Sequence, residues 1–410
     1  MSRGHAGVPG GIGGVLVAAV AAAVAAFAWQ APAGASALSP SGPAGASALP
    51  AGAVAAVSPA ASATHQAALD GVSCPAVNLC IAVGGRLEAH GRAPLAERWN
   101  GSSWRVLSMP AAPASASSLF AVSCPTTTDC TAVGQAASSQ TNVVPLAEQW
   151  NGHAWRVTQS RNPAGTKDAA LEAVSCASKK DCVAVGYWQD GSNLKTVAEK
   201  WNGHSWSLQR AAKLPRTALL AGVHCEGSFC MAVGQRENAS RTLVTMAEEW
   251  TGHAWTVLSV PAPAGANFST LQDVWCTSDS SCFAVGQYQG TIDSAIADAW
   301  NGSAWSQQPI SAVNDILYGI ACHGPASCMA VGAGLTRPVS QQWTGAAWHA
   351  IATARVSGAP FAFLVQVSCP TATRCIAVGA RTNGSPVDIG VTLAEEWNGS
   401  SWSVLKTVNP

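Results

Sequence analysis

A unit of sequence recurs seven times in this 410-residue chain, and its first cysteines are separated by 50, 52, 49, 51, 46 and 47 residues. Repeats of this length are typical of propellers and solenoids. Each unit holds two short apolar segments, a variable loop, a third apolar segment, a turn and a fourth segment, which together predict four strands. Four strands make one propeller blade. We therefore expect an all-β fold, a seven-bladed β-propeller of four-stranded blades over residues 66–410.

Complete motifs in every unit predict that no blade borrows a strand from the other end of the chain. The ring would then close by packing between the first and seventh units. In the alternative, a strand near Leu69 completes the last blade.

All 14 cysteines lie in the repeats, as seven close pairs. An even number in an exported chain predicts disulfides. A zinc site is disfavoured because the spacing lacks accompanying histidines or a second nearby pair. We expect no metal and seven local bridges: Cys74–Cys80, Cys124–Cys130, Cys176–Cys182, Cys225–Cys230, Cys276–Cys282, Cys322–Cys328 and Cys369–Cys375.

Two tryptophans five residues apart flank an Asn-Gly or Thr-Gly turn in each unit, as Trp99 and Trp104 do in the first. These turn residues supply the positive φ angles of tight hairpins. The two rings share one face of the sheet, directly opposed across a four-residue loop or diagonal across a two-residue loop. We expect packing between blades, the alternative being exposed rings that stack on sugars.

An acid precedes the first tryptophan by two residues in six units, and Gln341 takes this place in the sixth. Paired carboxylates can hydrolyse glycosides, but these are one to a blade and on the third strand, away from the channel. Hydrogen bonding to neighbouring loop amides is the favoured interpretation. The acids are Glu97, Glu148, Glu199, Glu248, Asp298 and Glu395.

The order Leu-x-x-Val, Ala-Val-Gly, a Gly-containing turn and Trp resembles the propeller repeats of photosystem II assembly factor-like proteins and the Asp-box repeats of sialidases. It looks closest to a family of secreted bacterial repeat proteins built on C-x5-C, A-V-G and W-N-G-x-x-W. The resemblance covers residues 69 to about 407. The Asp-box itself is absent, with Trp99 where its Asp would stand and Glu97 where its Ser or Thr would stand. Sialidase activity is therefore not implied.

The N-terminus predicts export. Arg3 and His5 precede an apolar run from Ile12 to Trp29, and small-residue sites follow, which is typical of a signal peptide (1–37) cleaved after Ala37. A retained signal anchor is the alternative. Residues 38–65 are rich in Ala, Pro, Ser and Gly and predict a disordered linker. We expect a secreted protein, extracellular or associated with the cell envelope, with no membrane contact after cleavage.

Charge and motifs exclude several functions. The 22 Lys+Arg balance 22 Asp+Glu, and no segment forms the basic stripe of a nucleic-acid binder. No nucleophile elbow, zinc-protease motif, P-loop or dinucleotide fingerprint is present, so we expect no cofactor and assign no catalytic residue. We expect a monomer.

Binding sites on propellers gather where the units differ, at the loops around the channel mouth. The residue after the recurring Leu of each first strand varies without a common packing logic. The loop after Ala-Val-Gly varies too, with two aromatic residues in the third unit. The predicted ligand-binding residues are Asp70, Phe120, Glu172, Tyr187, Trp188, Gln272 and Tyr318.

Aromatic faces with a few acceptors suit a sugar. We therefore expect a non-enzymatic binding or interaction module for a glycan or protein at the channel mouth. The alternatives are a carbohydrate-active hydrolase or lyase using acids such as Asp70 and Glu172, and a purely structural envelope protein.

Overall fold

The computed structural model describes residues 66–409 except 89–90, 112–113, 115, 140–141, 164–165, 167 and 383–389. The predicted signal peptide and linker lie outside the described residues and stay predictions. Among the residues that the structure describes, no helix is both long and apolar enough to cross a membrane.

Twenty-eight strands form seven blades. Blade 1 contains β1 (Ala67–Ala76), β2 (Leu79–Glu88), β3 (Gly91–Trp99) and β4 (Trp104–Val106). Blade 2 contains β5 (Ala116–Ser123), β6 (Cys130–Ser139), β7 (Asn142–Trp150) and β8 (Trp155–Thr158). Blade 3 contains β9 (Ala169–Ser178), β10 (Asp181–Asp190), β11 (Asn193–Trp201) and β12 (Trp206–Leu208). Blade 4 contains β13 (Ala218–Glu226), β14 (Phe229–Glu237), β15 (Leu243–Trp250) and β16 (Trp255–Leu258). Blade 5 contains β17 (Phe268–Ser278), β18 (Ser281–Gln289), β19 (Ser294–Trp300) and β20 (Trp305–Gln307). Blade 6 contains β21 (Ile316–Gly324), β22 (Ser327–Ala333), β23 (Pro338–Trp343) and β24 (Trp348–Ile351). Blade 7 contains β25 (Phe361–Thr371), β26 (Arg374–Thr382), β27 (Val391–Trp397) and β28 (Trp402–Leu405).

Each blade is an antiparallel sheet of four consecutive strands. The first strands contact one another from blade to blade, and β25 contacts β1, so they line the centre of a closed ring. The predicted seven-bladed propeller is confirmed. The alternative in which a strand near Leu69 completes the last blade is wrong, because β1 pairs with β2 and every described sheet takes its strands from one unit.

The seven predicted disulfides are confirmed, each joining the first two strands of its own blade. The serine before the first cysteine then links blades. Ser73 Oγ accepts a hydrogen bond from the backbone N–H of Cys124 in the next blade at 3.0 Å. Ser123, Ser175 and Ser368 accept equivalent bonds, and that of Ser368 comes from Cys74 across the closure of the ring. This serine therefore has a structural role.

The tryptophan pairs lie directly opposite one another across a four-residue loop, as Trp99 and Trp104 do with ring centroids 5.6 Å apart. Thirteen of these fourteen rings are buried at 9% exposure or less, and Trp250 is partly buried. The predicted packing between blades is thus confirmed, because these rings are not exposed as a row that stacks on sugars would be. In each turn the glycine has a positive φ, 93° at Gly101, whereas the residue before it does not, so one of the two predicted positive φ angles is found. Asn100 instead accepts bonds on Oδ1 from the N–H groups of Ser102 and Ser103.

The acid before each first tryptophan is fully buried, from Glu97 in blade 1 to Glu395 in blade 7. In blade 3, Glu199 accepts from Ser160 Oγ at 2.6 Å and from the Arg161 N–H at 2.9 Å. Glu395 accepts from the Ala354 N–H at 3.0 Å. These donors lie in the segment that arrives from the preceding blade, six residues after its second tryptophan. The interpretation as an acceptor for loop amides is confirmed at these blades.

In two blades the residue at the donor position is proline. Pro110 precedes blade 2 and Pro261 precedes blade 5, and a proline has no N–H to donate. The carboxylate oxygens of Glu148 and Asp298 are buried without a partner. Those of Glu97 and Glu248 also have no hydrogen bond, but the backbone N–H groups of Val408 and Ala212 still lower their pKa values. Burial raises the pKa of Glu148 and that of Asp298 to about 7. These two carboxyls are therefore held in a site that favours their neutral form.

Candidate functional site

The variable residue after the recurring leucine is the unpaired residue of a β-bulge in every blade. In blade 1, Leu69 pairs with Gly84 and Gly71 with Val83, which leaves Asp70 without a partner on β2. The same shift isolates Phe120, Glu172, Ala221, Gln272, Tyr318 and Val365. A bulge redirects the side chain of its unpaired residue. Five of the seven predicted site residues thus share one structural position on the first strands, and Tyr187 and Trp188 lie on the neighbouring strand β10.

The glycine of Ala-Val-Gly permits this bulge. A Cβ on Gly84 would stand 2.0 Å from the carbonyl oxygen of Ala68, and the glycines of the other blades meet the equivalent carbonyl at 1.8 to 2.1 Å. No residue with a side chain fits there. The repeated glycine therefore shapes the position at which the variable residue projects.

Asp70 forms an ion pair that the sequence analysis missed. Arg92 on β3 reaches across β2, and its guanidinium Nη2 lies 3.7 Å from the Asp70 carboxylate. The two side chains are 10% and 19% exposed, respectively. Burial raises the pKa of Asp70 to about 6, and the charge of Arg92 opposes this rise.

The path of Arg92 is opened by a second glycine. A Cβ on Gly85 would lie 2.3 Å from Arg92 Nε, so the arginine side chain passes directly over this residue. The other units have Gln, Tyr or Ala after Ala-Val-Gly. The doubled glycine of the first unit was the available signal for this ion pair.

Glu172 and Tyr187 of blade 3 belong to the same electrostatic cluster as Asp70. Burial raises the pKa of Glu172 to about 7, and the negative charge of Asp70 raises it further. Burial also raises the pKa of the Tyr187 phenol, with added contributions from the charges of Glu172 and Asp168. Asp70 thus influences Glu172, and Glu172 influences Tyr187, through their charges.

The other predicted residues stand apart from this cluster. Phe120 and Gln272 are half-buried at their bulges. Tyr318 is 6% exposed, and its hydroxyl is buried without a partner. Trp188 packs against the apolar cluster between blades 2 and 3. Because Tyr318 and Trp188 are packed, their replacement by alanine would also lower stability.

Asp273 is a further residue that the sequence analysis did not single out. Its carboxylate accepts from the N–H of Val274 at 2.8 Å, from the N–H of Ile320 at 3.0 Å and from Gln366 Nε2 at 3.1 Å. These donors come from blades 5, 6 and 7. Five units have Gly or Ala at the corresponding position, so the acid at position 273 was the signal in the sequence. Since its oxygens are engaged by three blades, Asp273 stabilises the inner ring.

His224 and Trp275 replace the linking serine in blades 4 and 5. Their rings stack between these blades with centroids 4.3 Å apart. Burial lowers the pKa of His224 to about 4, so the ring is neutral at physiological pH. These residues repack the interface where the serine bond is missing.

The channel cluster combines one ion pair, a second carboxyl and a phenol, and all four side chains are partly buried. Such a set can accept and donate hydrogen bonds to a polar ligand. Two carboxyls with raised pKa values near neutrality can also exchange protons.

Comparisons with known proteins place the chain by fold. Neither the family models nor the curated proteins give a match. Among solved structures, a PL25 polysaccharide lyase, an ulvan lyase bound to -[GlcA(1-4)Rha3S]-, has a TM-score of 0.51 and 8% identity, covering 80% of this chain and 91% of that one. YCF48 bound to D1 peptide has a TM-score of 0.48 and 10% identity, covering 77% and 91%. The SapL1 lectin in complex with alpha methyl fucoside has a TM-score of 0.46 and 16% identity, covering 72% and 96%. At 8% identity, the likeness to the lyase shows a shared fold alone.

Proposed function

We propose that this chain is a secreted, non-enzymatic binding module whose channel mouth takes a polar ligand, a glycan or a protein. The observation that carries this proposal is that repeated and variable residues occupy different kinds of position. Repeated residues bridge, pack or bond within the scaffold, whereas the variable residues sit at bulges on the strands that line the channel.

The chemistry of the cluster supports a hydroxyl-rich or otherwise polar ligand. Asp70 and Glu172 supply acceptors, and Arg92 supplies donors beside them. Phe120 stands on the intervening blade and adds an apolar ring at the same bulge position. An aromatic surface beside a few polar groups is the usual composition of a saccharide site.

A carbohydrate-active hydrolase or lyase is the second candidate, and one observation favours it. The carboxyls of Asp70 and Glu172 interact electrostatically and have pKa values of about 6 and about 7. Near neutral pH such a pair can hold one proton between its members, which acid–base catalysis requires.

Screening the purified protein against glycan arrays and soluble polysaccharides separates the two. The proposal expects saturable binding of a ligand and no new reducing ends or unsaturated products. Turnover of any glycan would replace it by the enzymatic candidate. An absence of binding to glycans and to envelope proteins would favour a structural role.

Export rests on the predicted signal peptide and agrees with seven disulfides, which are typical of oxidising compartments. N-terminal sequencing of protein from the culture medium tests it. We expect a chain that begins at Leu38. A cell-bound chain that retains Met1 would show that the segment is an anchor.

A further inference from the structure

Three large apolar side chains are exposed on the side of the propeller where the first and third strands begin. Ile292 precedes β19, Val313 precedes β21 and Leu335 precedes β23. They are 56%, 58% and 69% exposed, the three highest values among the large apolar residues that the structure describes. Single exposed apolar residues are normal, whereas contiguous groups mark interaction surfaces. We call these three residues the loop patch.

The first two members of the loop patch stand on segments that are paired with each other. An antiparallel bridge joins Ser294 to Val313, and it places the turn of Ile292 beside the segment that enters blade 6. The Asn314 N–H also donates to the carbonyl of Asp293 at 2.8 Å. The two apolar side chains are therefore held on a rigid part of the surface.

Leu335 is brought to the same place by the next turn. The Gly334 N–H donates to the carbonyl of Arg337 at 2.8 Å, so Leu335 lies at the tip of a tight turn between β22 and β23. A Cβ on Gly334 would stand 2.9 Å from Asp315 Oδ1. This turn therefore touches the segment that carries Val313, and the loop patch is contiguous.

The chemistry of the loop patch favours a protein surface as its partner. Its three aliphatic side chains present no flat ring on which a sugar could stack. Asp293 and Asp315 lie beside the patch and would repel an anionic lipid surface. The partner is thus an apolar protein surface that also carries charges of both signs.

A second copy of this chain has such a surface. Arg337 is exposed two residues after Leu335, and Asp293 follows Ile292 directly. Among the described residues, neither charged side chain forms a hydrogen bond or a salt bridge. In a two-fold arrangement the same patch meets itself, so Arg337 of each copy can face Asp293 of the other. The chain has 22 basic and 22 acidic residues, so no net charge keeps two copies apart.

We propose that the loop patch is the contact between two copies of this chain in a two-fold symmetric dimer, in place of the monomer expected from the sequence. Ile292, Val313 and Leu335 form the apolar centre of the contact, and the charged pair forms its rim. A standard interface takes about 20–30 residues from each side, so a contact centred on three side chains is weak and reversible. The dimer is independent of the ligand at the channel mouth.

Sedimentation velocity of the purified protein at increasing concentrations, up to about 1 mM, tests the dimer. We expect the sedimentation coefficient to rise with concentration toward the value of two chains. Leu335→Ser should raise the dissociation constant by about tenfold or more, because it removes the most exposed apolar side chain of the contact. Leu87→Ser is the matched control: Leu87 is 50% exposed on β2 of blade 1, and its replacement should leave the dissociation constant unchanged.

A charge exchange tests whether the patch meets itself. Arg337→Glu and Asp293→Arg should each weaken the dimer, because like charges then face each other across the two-fold axis. An equal mixture of the two variants should dimerise again, since each altered charge then meets one of opposite sign. The melting temperature of each variant, measured alone, should stay close to that of the wild type.

Four results would overturn the dimer. The first is a protein that stays a single chain at about 1 mM, where even a weak specific contact is populated. The second is association that Leu335→Ser leaves intact or that Leu87→Ser weakens equally. The third is a mixture of Arg337→Glu and Asp293→Arg that remains monomeric. The fourth is growth beyond two chains, which a two-fold contact does not allow.

Discussion

At the scale of single residues, a proline removes the backbone N–H that could donate to a buried acid in the next blade. Glu199 receives an N–H from Arg161, whereas Glu148 faces the position of Pro110 and receives none. Both are fully buried. The two carboxyls occupy the same place in the repeat, yet only the first has its hydrogen bonds satisfied.

The first prediction concerns Glu148→Gln. The folded pKa of about 7 lies above the unfolded value of about 4.5, so the stability associated with the neutral carboxyl is present below about pH 4.5 and is lost as pH rises through 7. Glutamine carries no charge to desolvate. We expect the variant to be more stable than wild type by up to about 3 kcal/mol at pH 8 and by about 1 kcal/mol or less at pH 5.

Urea denaturation at the two pH values measures this difference. Glu199→Gln is the contrast, because the amide leaves one of its two donors without an acceptor and should cost about 1–3 kcal/mol. A destabilised Glu148→Gln at pH 8 would mean that the Glu148 carboxyl has a partner.

The second prediction concerns Arg92→Met, which removes the cation beside Asp70. Burial raises the pKa of Asp70 and Arg92 lowers it, so removal of Arg92 should move this pKa above its present value of about 6. Carbon-detected NMR titration of the Asp70 carboxyl measures the shift. An unchanged or lower pKa would show that the ion pair does not form in solution.

At the scale of elements, the tryptophan hairpin has two interchangeable turn chemistries. Asn100 accepts two backbone N–H bonds at 2.9 and 2.8 Å, whereas Thr251 of blade 4 donates its hydroxyl to the carbonyl of Ala254 at 2.9 Å. The glycine with positive φ follows in both. The element therefore needs a short polar side chain at this position and tolerates either chemistry.

The third prediction follows from this turn. Asn100→Thr should change the free energy of unfolding by less than about 0.5 kcal/mol, because blades 4 and 6 already use threonine there. Asn100→Ala should lower the free energy of unfolding by about 1 kcal/mol, since the N–H groups of the turn would then donate to water instead. Thermal denaturation compares the two, and equal costs would mean that the side-chain bonds contribute nothing.

The sequence predicted the parts of the fold that recur. Disulfides, hairpins and opposed tryptophans appear in every unit, so each was supported by repeated observations. The bulges coincide with the variable position that the sequence analysis chose. The ion pair of Arg92 with Asp70 occurs once and crosses a strand, and the bond of Gln366 with Asp273 joins residues 93 apart, so repetition gave no information on either.

At the scale of the whole molecule, the ring closes without a shared strand. The Cys74 N–H donates to Ser368 Oγ at 3.0 Å, and the Ala67 N–H donates to the carbonyl of Gly390 at 3.0 Å. The remainder of the closure is packing of β1 against blade 7. The closing interface thus uses the same serine bond as three of the other interfaces.

The fourth prediction is a pH dependence of the whole ring. Burial raises the pKa of each of the six recurring acids to about 7 or about 8. The stability associated with their neutral forms is therefore lost as pH rises from the ordinary values, 4.5 for Glu and 3.8 for Asp298, through the raised ones. His224 acts in the opposite sense, since its stability contribution is present above about 6.5 and is lost as pH falls through about 4. The acids outnumber it.

We therefore expect a higher melting temperature at pH 5 than at pH 8, measured by calorimetry in buffers of equal ionic strength. The double variant Glu148→Gln, Asp298→Asn should show a smaller difference between the two pH values. A melting temperature that rises from pH 5 to pH 8 would contradict the raised pKa values.

The central claim is that variable residues bind a ligand while repeated residues hold the propeller together. The most direct test takes the ligand found by the glycan and protein screen and compares Glu172→Gln with Glu148→Gln by titration and calorimetry. The account predicts that Glu172→Gln weakens binding at least tenfold, and that Glu148→Gln raises the melting temperature at pH 8 and leaves binding intact. Binding that survives Glu172→Gln and is lost in Glu148→Gln would contradict it.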